Sequence, residues 1–344
     1  MPKVTKVLQR IRIIFVEVEV KKLTLIILSS ITDFWDYCAK NKMETVLITG
    51  GSGLLGKQLC RKLSERGYEP AILTRKPDNK SDIINYYWDP DKKEIDNKAI
   101  SSADHIIHLS GVNIGNKRWT KRRKELITDS RILPAELLFD KIKGSGKNLK
   151  SFISISGTGY YGSITSEMIF TEADGPAEDF LGNVCSKWER TAVRFEEIGV
   201  RTVRIRSAVV LTKKGGVLSR LSTLVKMGIG SAIGRGSQYF PWIHIDDLCN
   251  IFIKAFEDPQ MRGAYNGVAP DCKTNKEFVR TVAHVMKKPF WFPGIPAILM
   301  KILFGEMSLI LLTGSRISSE KIEKAGYVFK FPVLEGALKD LLKK

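Results

Sequence analysis

The stretch VLITGGSGLLGKQ, residues 46–58, decides how the rest of the chain is read. Val46 to Thr49 is a β-rich run, and glycines follow at once. Leu55, Leu59 and Leu63 then recur every four residues, one face of a helix that ends near Gly67. Two phosphate-binding patterns overlap in the turn. Gly51, Gly53 and Gly56 spell G-x-G-x-x-G, while Gly51, Gly56 and Lys57 spell most of G-x-x-x-x-G-K. The second pattern needs a hydroxyl after its lysine to ligate magnesium, and Gln58 stands there. The first needs a tight turn, backbone N–H groups close to a diphosphate, and a strand before and a helix after it. The stretch therefore predicts a dinucleotide loop in which Gly50, Gly51, Ser52, Gly53, Leu54, Leu55 and Gly56 surround the pyrophosphate.

Working outward, strands alternate with helices. Pro70–Thr74, Tyr86–Trp88, His105–Leu109, Phe152–Ile155 and a longer Val203–Leu211 read as strands, apolar on both faces. That pattern predicts an α/β fold of Rossmann type, a doubly wound parallel sheet covered on both sides. Thr274 to Glu277 is a capping box, with Phe278, Val282, Val285 and Met286 as a helical stripe behind it. Pro289 to Pro296 is a link. Ile298 to Leu312 is apolar but interrupted by Lys301 and Glu306, which predicts a buried or docking helix rather than a membrane span. Ser318–Ala325 and Leu334–Leu342 are further amphipathic segments. The expected organisation is an extension over 1–42, a nucleotide-binding core over 43–286, and a smaller, mainly helical C-terminal subdomain over 287–344 on the substrate side. The extension reads as an accessory segment or a misassigned start, because Met43 stands immediately before the first clean strand.

The end of the second strand discriminates between cofactors. NAD sites usually carry an acid there for the ribose diol. This chain has Thr74-Arg75-Lys76, and an arginine suits a 2′-phosphate by charge and bidentate geometry. The expected cofactor is NADP, as NADPH, with Thr74 and Arg75 at the adenosine ribose. Net charge is +18, but no zinc pattern, RNP motif or recognisable helix-turn-helix accompanies it, so the charge reads as a solvated surface. The run Lys117 to Lys124 mixes cations with Trp119, yet it opens a helix continuing through Ile127 and Ile132, and its charges read as that helix's solvated face rather than as a nucleic-acid site. The five cysteines are spread out with no C-x-x-C, which fits a reducing cytoplasm. The expected partner is a small-molecule substrate, with no nucleic acid and no membrane insertion; oligomeric state is not legible.

More specific pieces follow: HLSGVNIGNKRWTKRRKELITDSRI (108–132), SISGTGYYG (154–162), FLGNVCSKWE (180–189), WIHIDDL (242–248) and YNGVAP (265–270). With the opening stretch and the tail from Phe304, they resemble the atypical extended short-chain dehydrogenase/reductases, the uncharacterised epimerase-like subfamily with a C-terminal domain of unknown function. The resemblance runs from about Met43 to the end. It implies a Rossmann core, bound NADP(H), Leu109, Ser110 and Gly111 on the adenosine or ribose side, and a substrate site between the core and the C-terminal part.

In that superfamily the base is a tyrosine with a lysine four residues later on one helix face, the ammonium lowering the phenol pKa. None of the nine tyrosines here has Lys at +4. The resemblance puts Leu181 at the tyrosine position and Cys185 at the lysine position. Lys187 is two residues further, a rotation of about 200°. Cys185 reads as a small buried residue or a reactive thiol. The candidates for the chemistry are Ser156, Thr158 and Tyr161, the last alternatively packing under the sheet edge. His244 reads as a structural histidine or a general acid, and Asn266 as a cleft-edge or structural residue. Two functions follow: an epimerase-like oxidoreductase acting on a small carbonyl or hydroxyl compound, or a catalytically silent NADP(H)-binding regulatory module, in line with relatives linked to division of cells or plastids.

Overall fold

In the computed structural model, which describes residues 43–78 and 80–343, the glycine stretch joins β1 (Thr45–Thr49) to α1 (Leu54–Glu65). The expectations for residues 1–42 lie outside the described residues. Side chains alternate along β1: Val46 and Ile48 enter one apolar cluster, Leu47 the cluster on the opposite face. The other strands are β2 (Glu69–Thr74), β3 (Ile84–Asp89), β4 (Glu94–Ile95), β5 (His105–His108), β6 (Ser151–Gly157), β7 (Ile169–Phe170), β8 (Arg201–Ser207), β9 (Val209–Leu211), β10 (Trp242–His244), β11 (Gly263–Gly267) and β12 (Arg316–Ile317). The main sheet runs β11-β8-β6-β5-β1-β2-β3-β4, with β4 antiparallel to β3 and every other pair parallel. The chain winds outward in both directions from β1 and β5. Their C-terminal ends open the crevice where such sheets bind ligands.

Helices cover both faces. After α1 come α2 (Asn97–Ser102), α3 (Lys121–Ser145), α4 (Phe180–Val193), α5 (Gly216–Lys226), α6 (Ile245–Glu257), α7 (Asn275–Val285), α8 (Ala297–Phe304), α9 (Leu309–Leu312), α10 (Glu320–Lys324) and α11 (Leu334–Leu342). α1 and α6 share one apolar cluster, and α3 lies in the other. None of these helices is long and apolar enough to cross a membrane.

Three expectations change. The predicted strand Val203–Leu211 is two strands. At Ala208 the chain swaps partners: the Ala208 N–H donates to Gly267 and the Val209 N–H to Pro241, so β9 leaves the main sheet and pairs with β10. The predicted helix Ile298–Leu312 breaks at Gly305, whose φ of +59° belongs to the left-handed region. Ile298 and Ile302 on α8 are 68% and 65% exposed, which removes the buried alternative for that face. The basic run is only partly a solvated face. Lys121 and Arg122 are exposed, but Trp119 is buried with its indole N–H on the Ile114 carbonyl, Arg123 donates to the Asn113 carbonyl, and Lys124 pairs with Glu306 at 2.6 Å.

The C-terminal segment is tied down by Asp247, a fully buried carboxylate of α6. It accepts from the Tyr327 hydroxyl (2.7 Å) and from the amides of Lys330 (2.7 Å) and Phe331 (3.0 Å). Leu334, Leu338 and Leu341 of α11 then pack with Phe278 and Val282 of α7. His244 is part of the same structural joint. Its Nδ1 accepts the Asp246 amide, capping α6, its Nε2 lies 3.3 Å from Asp340, and its ring packs tilted against Phe331, centroids 3.9 Å apart.

Candidate functional site

The loop after β1 is shaped by contacts that leave no room for side chains. Gly50 turns the chain at φ +69° against the Leu109 carbonyl. A Cβ on Gly51 would stand 2.2 Å from Ile72 Cγ2, and one on Gly56 would stand 2.5 Å from both the Gly50 oxygen and the Gly51 Cα. Gly53 differs: its Cβ would meet only the Gly50 oxygen at 3.2 Å, facing otherwise open space. Gly53 is also the N-cap of α1 and brings no side-chain cap, so the first-turn amides at Leu54, Leu55 and Gly56 have no acceptor within the helix. Ser52, Gly53 and Leu54 are exposed. Bare amides at the positive end of a helix dipole, approached from an open side, fit a diphosphate. Gln58 is engaged elsewhere, its amide donating to Asp246 at 2.8 Å, and it offers no hydroxyl of the kind a P-loop places on magnesium.

Arg75 ends up at the tip of β2, its side chain 62% exposed, 3.0 Å from Asp91 and 3.9 Å from Asp89. The Thr74 hydroxyl accepts the Lys76 amide and shapes that turn.

The segment 109–111 is positioned by a buried relay. The His108 Nε2 contacts the Arg131 carbonyl at 3.1 Å, so it must donate, and Nδ1 is left to accept the Thr49 hydroxyl at 2.9 Å. The Thr49 oxygen in turn accepts the Leu109 and Ser110 amides at 3.0 and 3.1 Å. Gly111 lies against the Arg131 guanidinium, with a Cβ there 3.0 Å from Cζ. Burial lowers the His108 pKa to about 4. The folded state therefore binds fewer protons than the unfolded chain, whose histidine titrates near 6.5, and stability falls as pH drops from there toward 4. Between pH 7 and pH 5, while carboxylates stay ionised, this group is expected to cost about 2 kcal/mol. His105 and His244, also lowered by burial, add in the same direction. Urea unfolding at the two pH values checks the sum. His108→Gln, less stable at pH 7, should show a shallower slope.

Beyond this segment lies a cavity of about 420 Å³. One wall is α4, which Asp179 caps by accepting the Gly182 amide. Leu181, Val184, Cys185 and Trp188, at helical spacing, line it, so Leu181 and Cys185 do share one face. Lys187 is exposed and away from it. Burial pushes the Cys185 thiol up to about 12, which keeps it protonated and removes the thiolate reading. Ser156 and Thr158 line it next to α4, a Cβ on the intervening Gly157 standing 3.9 Å from Cys185 Sγ, and Leu109 and Gly111 line it from the segment after β5.

Tyr161 is placed differently. It is 2% exposed, does not line the cavity, and donates to Asn266 Oδ1 (2.7 Å) while accepting from Arg206 Nη1 (2.9 Å). Burial pushes its phenol up to about 12, against the pull of Arg206. Asn266 is fully buried and bridges Tyr161 to the Ser318 carbonyl. Behind the cavity wall, Arg206 grips Glu189 with Nε and Nη2 at 2.8 and 3.0 Å, and Ser156 donates to the same carboxylate at 2.7 Å. Sequence reasoning missed this pair. The available signal was Glu189 standing at i+4 from Cys185 and i+8 from Leu181, an acid on a buried stripe.

Residues 46–266 match the model of the NAD dependent epimerase/dehydratase family, and residues 295–341 match a domain of unknown function. The epimerase family protein SDR39U1 of Homo sapiens is 32% identical over 300 residues, covering 86% of this chain and 99% of the human one. An epimerase family protein of Staphylococcus aureus is 32% identical over 305 residues, 88% of this chain and all of its own length. Among solved structures, the human protein (isoform 2) with NADPH superposes with a TM-score of 0.78 at 31% identity, covering 86% of this chain and 98% of that one.

Proposed function

The chain belongs to the NAD-dependent epimerase/dehydratase family, and from that premise we propose that it binds NADPH and presents it to a small carbonyl or hydroxyl compound held in the cavity beside α4. One observation carries the reading: Leu109 and Gly111, in the segment after β5 that packs against Gly50 of the glycine loop, line the same cavity as Thr158, Leu181 and Trp188. The loop from Gly50 to Gly56 would hold the diphosphate and Arg75 the 2′-phosphate, a reading supported by the NADPH in the solved human relative. When bound, that cofactor supplies a hydride. The chain's own residues do the positioning. Ser156 gives its proton to Glu189, so its lone pairs are free to accept from a substrate hydroxyl. Thr158, opening the turn beside it, would donate to a carbonyl oxygen. Leu181 and Cys185 offer neither phenolate nor ammonium, and that observation favours a second reading, a catalytically silent NADPH-binding regulatory module.

Titration with NADPH and NADH, followed by nucleotide fluorescence, tests the shared premise. NADPH is expected to bind at least about tenfold tighter, a difference of about 1.4 kcal/mol. Arg75→Ala should erase that preference by weakening NADPH alone. Equal affinity for the two nucleotides in the unmodified protein would remove Arg75 from the role, and no binding of either would remove both readings. A screen of carbonyl compounds for NADPH consumption then separates enzyme from module. Turnover that Thr158→Val lowers and Tyr161→Phe spares fits the enzyme.

A further inference from the structure

The cavity wall says what kind of molecule it takes. The surfaces of Leu181, Val184, Trp188, Phe240, Pro241 and Ile310 are apolar. Among the residues lining it, Arg131 alone carries a formal charge, and that charge is engaged. Its Nη1 donates to the Ile127 carbonyl at 2.8 Å, its Nη2 to the Val112 carbonyl at 3.0 Å, and its guanidinium lies over the Trp188 ring at 5.0 Å. It also sits against Gly111, in the segment that follows β5. Arg316, over the Tyr239 ring, is paired with Glu167 at 3.6 Å. Besides the Cys185 thiol and the unpartnered indole N–H of Trp188, the side-chain polar groups on the wall are neutral hydroxyls, and most of their hydrogens are spent. Ser207 donates to Ala208, Thr313 to Leu309, Ser315 to Ile164 and Ser156 to Glu189.

A diphosphate placed among these side chains would bring two negative charges out of water with no free cation on the wall to receive them. A neutral ring compound meets no such penalty and gains by burying its apolar surface. We infer that this site, on the reading of it given above, is built for an uncharged, mainly apolar cyclic carbonyl or hydroxyl compound and rejects nucleoside diphosphate sugars. The volume of about 420 Å³ is toward the small end of ligand sites, which run from about 300 to 1,000 Å³. Thr158 supplies the hydrogen bond to the ligand oxygen, and Arg131 serves the coenzyme end.

Isothermal titration of the full chain, with and without saturating NADPH, tests this with three probes: 1-tetralone (neutral bicyclic ketone), 1-naphthoate (monoanion of similar size) and UDP-glucose. Tetralone is expected to bind at least about tenfold tighter than either anion, and Thr158→Val to weaken tetralone by about five- to tenfold, the worth of one neutral hydrogen bond. UDP-glucose matching or exceeding tetralone overturns the inference. So does naphthoate binding more tightly, because Arg131 would then be reading the ligand. So does a protein that binds NADPH and none of the three probes, an outcome that leaves the NADPH reading standing. Tetralone bound by a protein indifferent to NADPH does the reverse: it keeps the cavity assignment and removes the cofactor.

Discussion

Gly56→Ala is expected to lower NADPH affinity by about a hundredfold, or about 2.8 kcal/mol, and to destabilise the fold as well. By helix propensity alone the change should help, since alanine is better than glycine inside a helix by about 1 kcal/mol. The new methyl, however, would lie 2.5 Å from the Gly50 oxygen and 2.5 Å from the Gly51 Cα. Both are backbone atoms of the turn, and neither can rotate away. The turn must open, at the 1–3 kcal/mol or so that overpacking costs, and opening it swings the first-turn amides off the diphosphate. Gly53→Ala is the matched control. Gly53 has φ −73°, which any residue adopts, and its Cβ touches only the Gly50 oxygen at 3.2 Å. That variant should melt close to the parent yet bind NADPH about tenfold more weakly, because its methyl stands on the open side of the loop. Thermal melts without nucleotide and NADPH titrations of both variants decide the matter. Equal melting temperatures for Gly56→Ala and parent would mean that the loop yields freely and that its tight shape is not what binds.

The glycine loop was legible because its demands are local: each glycine answers to neighbours within a few residues or to one adjacent strand. The alternation Val46, Leu47, Ile48 likewise carries its own two-sided burial. What stayed hidden depends on distant partners. β11 is poor in strand-forming residues, with Gly263 at φ +79°, and exists because five consecutive residues pair with β8. The partner swap at Ala208 cannot be read from an unbroken apolar run. Trp119 looked like part of a basic surface until the carbonyl of Ile114 and the ring of Phe180, 4.9 Å away, showed where it packs. In the candidate site, helical spacing alone put Leu181 beside Cys185 and turned Lys187 outward. It could not say that Tyr161 would face Arg206 rather than the cavity, because that contact joins residues 45 apart.

Arg206→Met is expected to cost about 3–5 kcal/mol of stability, the largest single-residue effect in this region. Glu189 and Arg206 are 4% and 3% exposed, so the guanidinium is what makes a buried carboxylate tolerable there. Burial by itself would lower the Arg206 pKa, but Glu189 and the Tyr161 hydroxyl raise it, keeping the cation charged. Removing the cation leaves Glu189 with only Ser156 and the edge of Arg204, 4.0 Å off. It also deprives Tyr161 of its donor. Glu189→Leu alone should be comparably harmful, stranding the cation, whereas the double variant Glu189→Leu/Arg206→Met should recover much of the loss, because two apolar side chains need no partner. A double-mutant cycle by urea unfolding measures this, and purely additive losses would show that the two residues act separately. The cycle also bears on the site. If the pair serves to aim Ser156, the double variant will regain stability without regaining affinity for hydroxyl ligands in the cavity; if the pair is only structural, both will return together.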